Sequence, residues 1–266
     1  LRQIRVLERL GQQEQAYILA NQAAQAPESD TEAQAVERAL VRLARQLGQP
    51  QPGKAKAIAP TRLDLCLPRP DAYSVEFAVK AHLSEPEGPV HYVENSLICS
   101  LFGLLCWEAI FAPVPGAFFH PFHTGPVDLF SADFHPRRAE LFAACLAHLD
   151  SDAYKQVIRQ RYADKFGIQS PFVFWGALDQ ALLEQALDCL PAAHLRAWFK
   201  RLLLDIKANR AGMPDLIQFW PAEQRYRMIE VKGPGDRLQD NQRRWLAFCA
   251  EHGMPVDVCY VQWADA

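Results

Sequence analysis

The pattern of the chain changes after Gly212, and this change restricts the fold more than any other feature. Before it, apolar residues recur mostly at helical spacing. After it come two short runs rich in β-branched and aromatic residues, joined by a turn that begins at Pro221, which is typical of a β-hairpin. We therefore expect an α+β fold with a mixed sheet. The predicted C-terminal order is a strand at 216–220, a strand at 226–231, a helix at about 238–251 and a strand at 256–261.

The earlier part of the chain predicts two regions. Residues 1–60 resemble the tail of a larger helical-repeat module, with three short helices whose apolar faces include Ile4, Leu7, Leu10, Ile18 and Leu19. Residues 61–266 form the second domain, with a helical insertion at about 112–190. Because the sequence begins at Leu1 in a helical period, we expect an upstream region. Strand candidates lie at 62–67 and 74–79, and an almost wholly apolar helix begins near Val93.

Composition excludes several classes of protein. The seven cysteines are scattered and never spaced as CxxC, which argues against a disulfide framework or a zinc knuckle. We expect an intracellular protein: cytoplasmic or nucleoid-associated in a bacterium, nuclear in a eukaryote. No apolar run reaches the roughly 18 to 20 residues that span a bilayer, so we expect no membrane partner.

Charge is distributed unevenly along the chain. The formal net charge is -3, but residues 196–244 contain eleven Lys or Arg against six Asp or Glu. A basic zone in an acidic chain predicts local contact with a polyanion, although a solvated surface explains it equally well. The candidate phosphate contacts in this zone are Lys207, Arg210, Arg225, Arg227 and Arg237.

The hairpin carries the residues that could perform chemistry. Glu230 and Lys232 lie two positions apart in one strand, so their side chains share a face. Asp215 lies almost as far before the turn as Glu230 lies after it, so the two carboxylates should meet. Carboxylates suit Mg²⁺, and a lysine beside them can orient or deprotonate a water or stabilise a phosphate. This pattern alone is weak, because a surface hairpin with an ion pair would match it.

The residues around these three make the pattern specific. Gly-Met-Pro-Asp-Leu at 212–216 and Glu-Val-Lys-Gly-Pro-Gly-Asp-Arg-Leu-Gln-Asp-Asn-Gln-Arg-Arg-Trp-Leu at 230–246 closely resemble the signature of the VRR-NUC domain, a member of the PD-(D/E)xK nuclease superfamily. The resemblance implies a restriction-endonuclease-like α/β core with Asp215, Glu230 and Lys232 as catalytic residues. It also implies that Gln242 supports the site by hydrogen bonding and that the carbonyl of Val231 binds metal.

A second stretch resembles the Fanconi-associated nuclease family. Glu94-Asn95-Ser96, followed by the apolar run at 101–111, is similar to a family helix whose opening glutamate is a metal ligand. We place Glu94 in the first turn of this helix. The sequence departs from the Gly-Glu-Gly-Ser run expected there, because it has Val93 and Asn95 at the two glycine positions.

The resemblance implies a function. Members of this family cut branched or flapped DNA with one or two Mg²⁺ or Mn²⁺ ions, as 5' flap endonucleases and 5'-to-3' exonucleases in interstrand crosslink repair. They carry an upstream DNA-binding region, and we expect repair-protein partners to bind the helical module. Two other hypotheses remain: a Holliday-junction-resolvase-like nuclease, and a non-catalytic scaffold that binds DNA or protein.

Overall fold

The computed structural model describes residues 1–50, 60–69 and 74–264. The chain divides into two compact units, Leu1–Ile58 and Ala59–Ala266. Residues 51–59 and 70–73 lie outside the described residues, and the predicted domain boundary at 60/61 falls beside the first of these stretches.

The first unit contains three helices, α1 (Arg2–Arg9), α2 (Gln13–Gln25) and α3 (Asp30–Gln46). They bury one another around Ile4, Ala20 and Leu43, and Arg42 of α3 forms an ion pair with Glu8 of α1. The predicted apolar faces were partly wrong, because Leu10 and Ile18 are exposed. In α2 the small side chains of Ala16 and Ala20 face the core, which lets the helices approach closely.

The second unit is built on a sheet of five strands, and the sheet is mixed, as predicted. The strands are β1 (Thr61–Leu67), β2 (Val90–Tyr92), β3 (Leu216–Trp220), β4 (Arg225–Lys232) and β5 (Val256–Trp263). Their order in the sheet is β1-β5-β4-β3-β2. Strand β5 pairs in parallel with both β1 and β4, whereas β3 pairs antiparallel with β4 and β2.

One strand prediction was wrong. Residues 74–79 begin helix α4 (Val75–Leu83) instead. Val75, Phe77 and Val79 alternate as in a strand, but Val75, Ala78, Val79 and Leu83 also recur at helical spacing, and these four pack against the sheet. The helix covers one face of the sheet, where it packs in one apolar cluster with the strand residues Leu216, Ile229 and Val231.

The other face is covered by the helices between β2 and β3 and by α12 (Asp240–Glu251). All nine residues of helix α5 (Leu97–Leu105) are buried, as the apolar run predicts. Residues 111–135 consist of turns, so the predicted insertion at 112–190 is helical only in its later part. The intervening helices are α5 (Leu97–Leu105), α6 (Trp107–Ile110), α7 (Ala139–Ala147), α8 (Ala153–Lys165), α9 (Gln180–Cys189), α10 (Ala192–Leu204) and α11 (Ile206–Asn209).

Strand β3 is buried on both faces, which is why its sequence reads as a nearly continuous apolar run. The last five residues of β4 are buried as well. Among the described helices, none combines the length and the apolar character needed to cross a membrane.

Candidate active site

The hairpin register brings the two predicted carboxylates together. Leu216 pairs with Ile229, so Asp215, one residue before β3, lies opposite Glu230 of β4. The turn is closed by a short helical segment at Pro221–Glu223 and by Gln224, whose φ of 49° lies in the left-handed region. Equal spacing from this turn is therefore what aligns the acids.

The acids and the lysine are bonded to one another through the strand. The backbone N–H of Val231 donates to Asp215 Oδ2 over 2.8 Å. Lys232 Nζ donates to Glu230 Oε1 over 2.6 Å, and the two side chains share a face of β4 as predicted. All three are buried: Asp215 is 7% exposed, Glu230 0% and Lys232 6%.

Burial shifts the proton affinities of both acids. Desolvation raises the pKa of Asp215 to about 6, although the Val231 N–H and the Lys232 charge oppose the rise. The pKa of Glu230 is raised by desolvation and by the neighbouring Asp215 carboxylate, against the attraction of Lys232. Glu94 raises the pKa of both groups, so its carboxylate acts on the same site.

One oxygen of this cluster has no partner. Glu230 Oε2 is buried without a hydrogen bond among the described groups, and an unpaired buried carboxylate oxygen is costly. A hard cation would satisfy it, and the neighbouring donors, carboxylates and a backbone carbonyl, are oxygens that Mg²⁺ and Mn²⁺ prefer. The residues therefore fit a divalent metal ion in donor chemistry. In the described part of the chain, no three His, Cys, Asp or Glu side chains are already gathered closely enough to hold one.

Glu94 lies in the turn before α5, not in the first turn of the helix as predicted. Its carboxylate accepts hydrogen bonds from Tyr92 Oη and from Asn95 Nδ2, the latter over 3.2 Å. The segment is tied to the hairpin, because the N–H of Val93 donates to the carbonyl of Asp215 over 2.9 Å.

The departure from the family pattern at Asn95 has a structural reason. Asn95 has a φ of 55°, in the left-handed region that favours glycine. Asparagine is among the few other residues that adopt this conformation readily. The backbone expected with glycine is therefore kept, and a polar side chain is added.

The remaining predicted ligand and support residues are placed as follows. The Val231 side chain is buried in the core on the α4 face, and its N–H is bonded to Asp215. Gln242 is the third residue of α12, and its Oε1 accepts from the N–H of Gln239 over 2.8 Å in a capping box. The hydrogen bond that the structure gives Gln242 is thus to its own helix terminus and not to the acids.

The five basic candidates differ in their surroundings. Arg225 and Arg227 lie on the opposite face of β4 from Glu230, because they are odd-numbered positions of the strand. Arg225 bonds Glu223, and Arg227 bonds Asp257 and Gln218. The structure therefore does not bring these two arginines to the acids. Arg210 donates to the carbonyl of Pro171, whereas Lys207 and Arg237 are exposed.

Sequence reasoning missed three residues around the site. Tyr92 and Asn95 hold Glu94, and Glu76 of α4 contributes to the raised pKa of Asp215. Phe77 stacks on Tyr92 with 5.4 Å between ring centroids, which places the start of α4 beside the Glu94 turn. Glu76 was missed because residues 74–79 were assigned to a strand. The helical spacing of Val75, Ala78 and Leu83 would have placed Glu76 in the first turn of a helix.

Comparisons with known proteins find relatives of this chain. The family model of the VRR-NUC domain matches residues 149–263. The chain is 65% identical over 264 residues to a Fanconi-associated nuclease 1 homolog from Pseudomonas aeruginosa, a match that covers 99% of this chain and 47% of that protein. It is 32% identical to human Fanconi-associated nuclease 1 over 63% of this chain and 17% of that protein.

A solved structure is similar over nearly the whole chain. The crystal structure of paFAN1 bound to DNA with a 2-nt 5' flap and a gap superposes with a TM-score of 0.94 and 65% sequence identity. The match covers 98% of this chain and 48% of that chain. The chain therefore spans about half the length of the bacterial proteins that it matches.

Proposed function

Because this chain belongs to the Fanconi-associated nuclease family, we propose that it is a nuclease that hydrolyses phosphodiester bonds in flapped or branched DNA with Mg²⁺ or Mn²⁺. The observation that carries the proposal is the hairpin register, which opposes Asp215 to Glu230 and leaves one buried Glu230 oxygen without a partner beside Lys232. A buried, incompletely satisfied acid pair costs stability, and such a cost is typical of functional sites.

Each residue has a role that follows from its position. Asp215, Glu230, Glu94 and the carbonyl of Val231 would hold one or two divalent ions. A bound ion would supply an activated water and neutralise charge that develops on the phosphate. Lys232, 2.6 Å from Glu230, presents an ammonium group that orients the attacking water or stabilises the phosphate oxygens. Burial of this group excludes water and strengthens its electrostatic effect.

The more specific activity is proposed from the similar proteins. The paFAN1 structure holds DNA with a 5' flap, which supports 5' flap endonuclease activity here. We further propose 5'-to-3' exonuclease activity and a role in interstrand crosslink repair. The proposed location is intracellular: cytoplasmic or nucleoid-associated in a bacterium and nuclear in a eukaryote. The helical unit is proposed to contact repair proteins, and the upstream region of the longer relatives is proposed to add DNA contacts.

The test is cleavage of a 5'-labelled flap duplex by the wild type, by Asp215→Ala and by Glu223→Ala, with Mg²⁺, Mn²⁺, Ca²⁺ or EDTA. Glu223 is a matched control, since it is an exposed acid at the other end of the same hairpin. We expect incision near the branch with Mg²⁺ or Mn²⁺, its loss in Asp215→Ala and its retention in Glu223→Ala.

Two outcomes would contradict the proposal. Cleavage that survives Asp215→Ala would indicate another site or a contaminant. A folded wild type that binds the flap duplex in every metal but never cuts it would favour the scaffold hypothesis. A four-way junction serves as a competing substrate: preferential cutting of the junction would favour a resolvase-like enzyme.

A further inference from the structure

Besides backbone contacts, the side chain of Asn95 joins the turn that carries Glu94 to the segment that carries Asp215. Its Oδ1 accepts a hydrogen bond from the N–H of Met213 over 3.1 Å, and its Nδ2 donates to Glu94 Oε1 over 3.2 Å. Asn95 and Met213 are 118 residues apart in the chain. One side-chain amide therefore bonds to both Glu94 and Met213, which lie far apart in the sequence.

The two hydrogen bonds of the Asn95 amide have different roles: one anchors the amide and the other orients Glu94. The backbone N–H of Met213 is a fixed donor, two residues before Asp215, and it anchors the amide oxygen of Asn95. With that oxygen anchored, the amide nitrogen has to point to one side, and the group found there is the Glu94 carboxylate. The left-handed backbone at Asn95, with φ of 55°, is what directs the side chain back across the turn.

The surroundings keep this connection in one arrangement. The N–H of Val93 donates to the carbonyl of Asp215, which fixes the backbone on the other side of Glu94. Gly212 packs so tightly against Asn241 of α12 that an added Cβ would come within 2.6 Å of that side chain. The Met213 N–H is thus held from both directions, and it is a rigid anchor for Asn95.

We propose that Asn95 is a positioning residue that orients the Glu94 carboxylate for a divalent metal ion shared with Asp215. The inference rests on the proposed function, since it assigns Asn95 a part in metal binding at that site. Asn95 does not touch the metal; it acts through Glu94. Groups of this kind, which orient a ligand without binding metal, typically change metal affinity by 10-fold to 100-fold when removed.

The chain offers an unusually well-matched control for this idea. Asn95 and Gln224 are the two non-glycine residues with positive φ among those that the structure describes. Replacing either one by glycine keeps the left-handed backbone without strain and removes an amide side chain. Gln224 lies at the hairpin turn, away from the acids, so Gln224→Gly tests the backbone change by itself.

The experiment measures Mn²⁺ binding directly, from the electron paramagnetic resonance signal of free Mn²⁺ in the absence of DNA. We expect Asn95→Gly to raise the Kd for Mn²⁺ by roughly tenfold or more and Gln224→Gly to leave it unchanged. Both variants should melt within about 3 °C of the wild type, because neither backbone is strained by glycine. Cleavage by Asn95→Gly should recover when Mn²⁺ is raised to saturation.

A double-mutant cycle tests whether Asn95 acts through Glu94. In a Glu94→Gln background, Asn95→Gly should change the Kd by less than about twofold, since the carboxylate that it orients is gone. The same tenfold effect in that background would overturn the proposal, as would an unchanged Kd in Asn95→Gly alone. If the wild type binds Mn²⁺ no better than Asp215→Ala does, the proposed function itself fails; if it binds better but Asn95→Gly equals it, only this inference fails.

Discussion

The β3–β4 hairpin carries charged side chains at both of its ends, and the two ends treat charge in opposite ways. At the turn, Glu223 pairs with Arg225 in solvent, and the pKa of this glutamate is lowered by that hydrogen bond. At the open end, Asp215 and Glu230 are buried, and their pKa values are raised by loss of water. The same strands therefore hold one arrangement that is easily satisfied and one that is strained.

The difference shows which end of the hairpin lowers the stability of the fold. A surface ion pair contributes little to stability and demands little from the fold. A buried acid pair with one unpartnered oxygen is destabilising unless a metal cation also binds it. The open end of the hairpin therefore has an unsatisfied group that a ligand could bind, whereas the turn has none of this kind among the described contacts. Four substitutions test this contrast, from the largest expected effect to the smallest.

The largest effect is expected from Lys232→Met. It removes the buried ammonium from Glu230 and from the phosphate, and we expect single-turnover cleavage of flap DNA to fall by about 10² to 10³-fold. Arg62→Met is the matched control, because Arg62 also pairs with an acid two residues away in a strand, Asp64, but in solvent. Equal losses in the two variants would refute the contrast between buried and exposed pairs.

The next effect concerns stability and pH. Asp215 holds its proton more tightly in the folded protein, with a pKa of about 6 against an ordinary 3.8. Its contribution to stability is therefore complete below about pH 4 and is lost as the pH rises through 6. In EDTA, the unfolding free energy of the wild type should fall between pH 5 and pH 8 by roughly 1 to 3 kcal/mol from this group.

Asp215→Asn keeps an oxygen that can accept from the Val231 N–H but carries no charge. We expect this variant to lose the part of that pH dependence that comes from Asp215 and to be more stable than the wild type at pH 8 in EDTA. Urea unfolding followed by circular dichroism at pH 5, 6, 7 and 8 measures both. A wild type whose stability is flat over this range would show that the carboxylate is solvated.

A smaller effect is expected from Arg227→Ala near the turn. Its guanidinium bonds Asp257 and the buried Gln218, so its loss should cost about 1 to 3 kcal/mol of stability and leave cleavage within about twofold at saturating DNA. Chemical denaturation and a cleavage titration separate the two. A weaker salt dependence of DNA binding in this variant would support the sequence prediction that Arg227 contacts phosphate. Arg237→Ala, at an exposed position, is measured alongside it as the comparison.

The smallest effect is expected from Glu223→Gln. Its partner Arg225 also stacks on Trp220, 3.5 Å from the ring centroid, so the arginine stays in place without the ion pair. We expect a change in melting temperature below about 1 °C and unchanged metal binding, measured by differential scanning fluorimetry with and without Mn²⁺. A large shift would mean that the turn contributes more to the hairpin than an exposed pair does.

The hairpin could be read from the sequence because every relation in it is local. Alternation places Glu230 and Lys232 on one face, and counting from the turn places Asp215 opposite Glu230. The buried helix α5 was similarly visible as an unbroken apolar run. Short-range periodicity is sufficient for both.

The rest depends on contacts that no local pattern contains. Strand β2 is three residues long and exists through its pairing with β3, more than 120 residues later. The left-handed conformation of Asn95 and its bond to Met213 arise in the same way. Residues 74–79 fit both a strand and a helix, and packing against the sheet decides between them. Which of the basic residues face DNA stays a prediction, because the charge of a residue in the sequence does not reveal which partners its side chain contacts.

The place of β5 between two other strands determines when the sheet can form during synthesis. Residues 256–263 sit between β1 and β4, and β4 carries Glu230 and Lys232. During synthesis, β5 leaves the ribosome after both of its neighbours, one of which it meets across about 200 residues of chain. Until then, the strand with the acids lacks its parallel partner. A growing chain thus carries all the reactive side chains before it has the frame that aligns them, so we expect it to stay inert until translation has passed this strand.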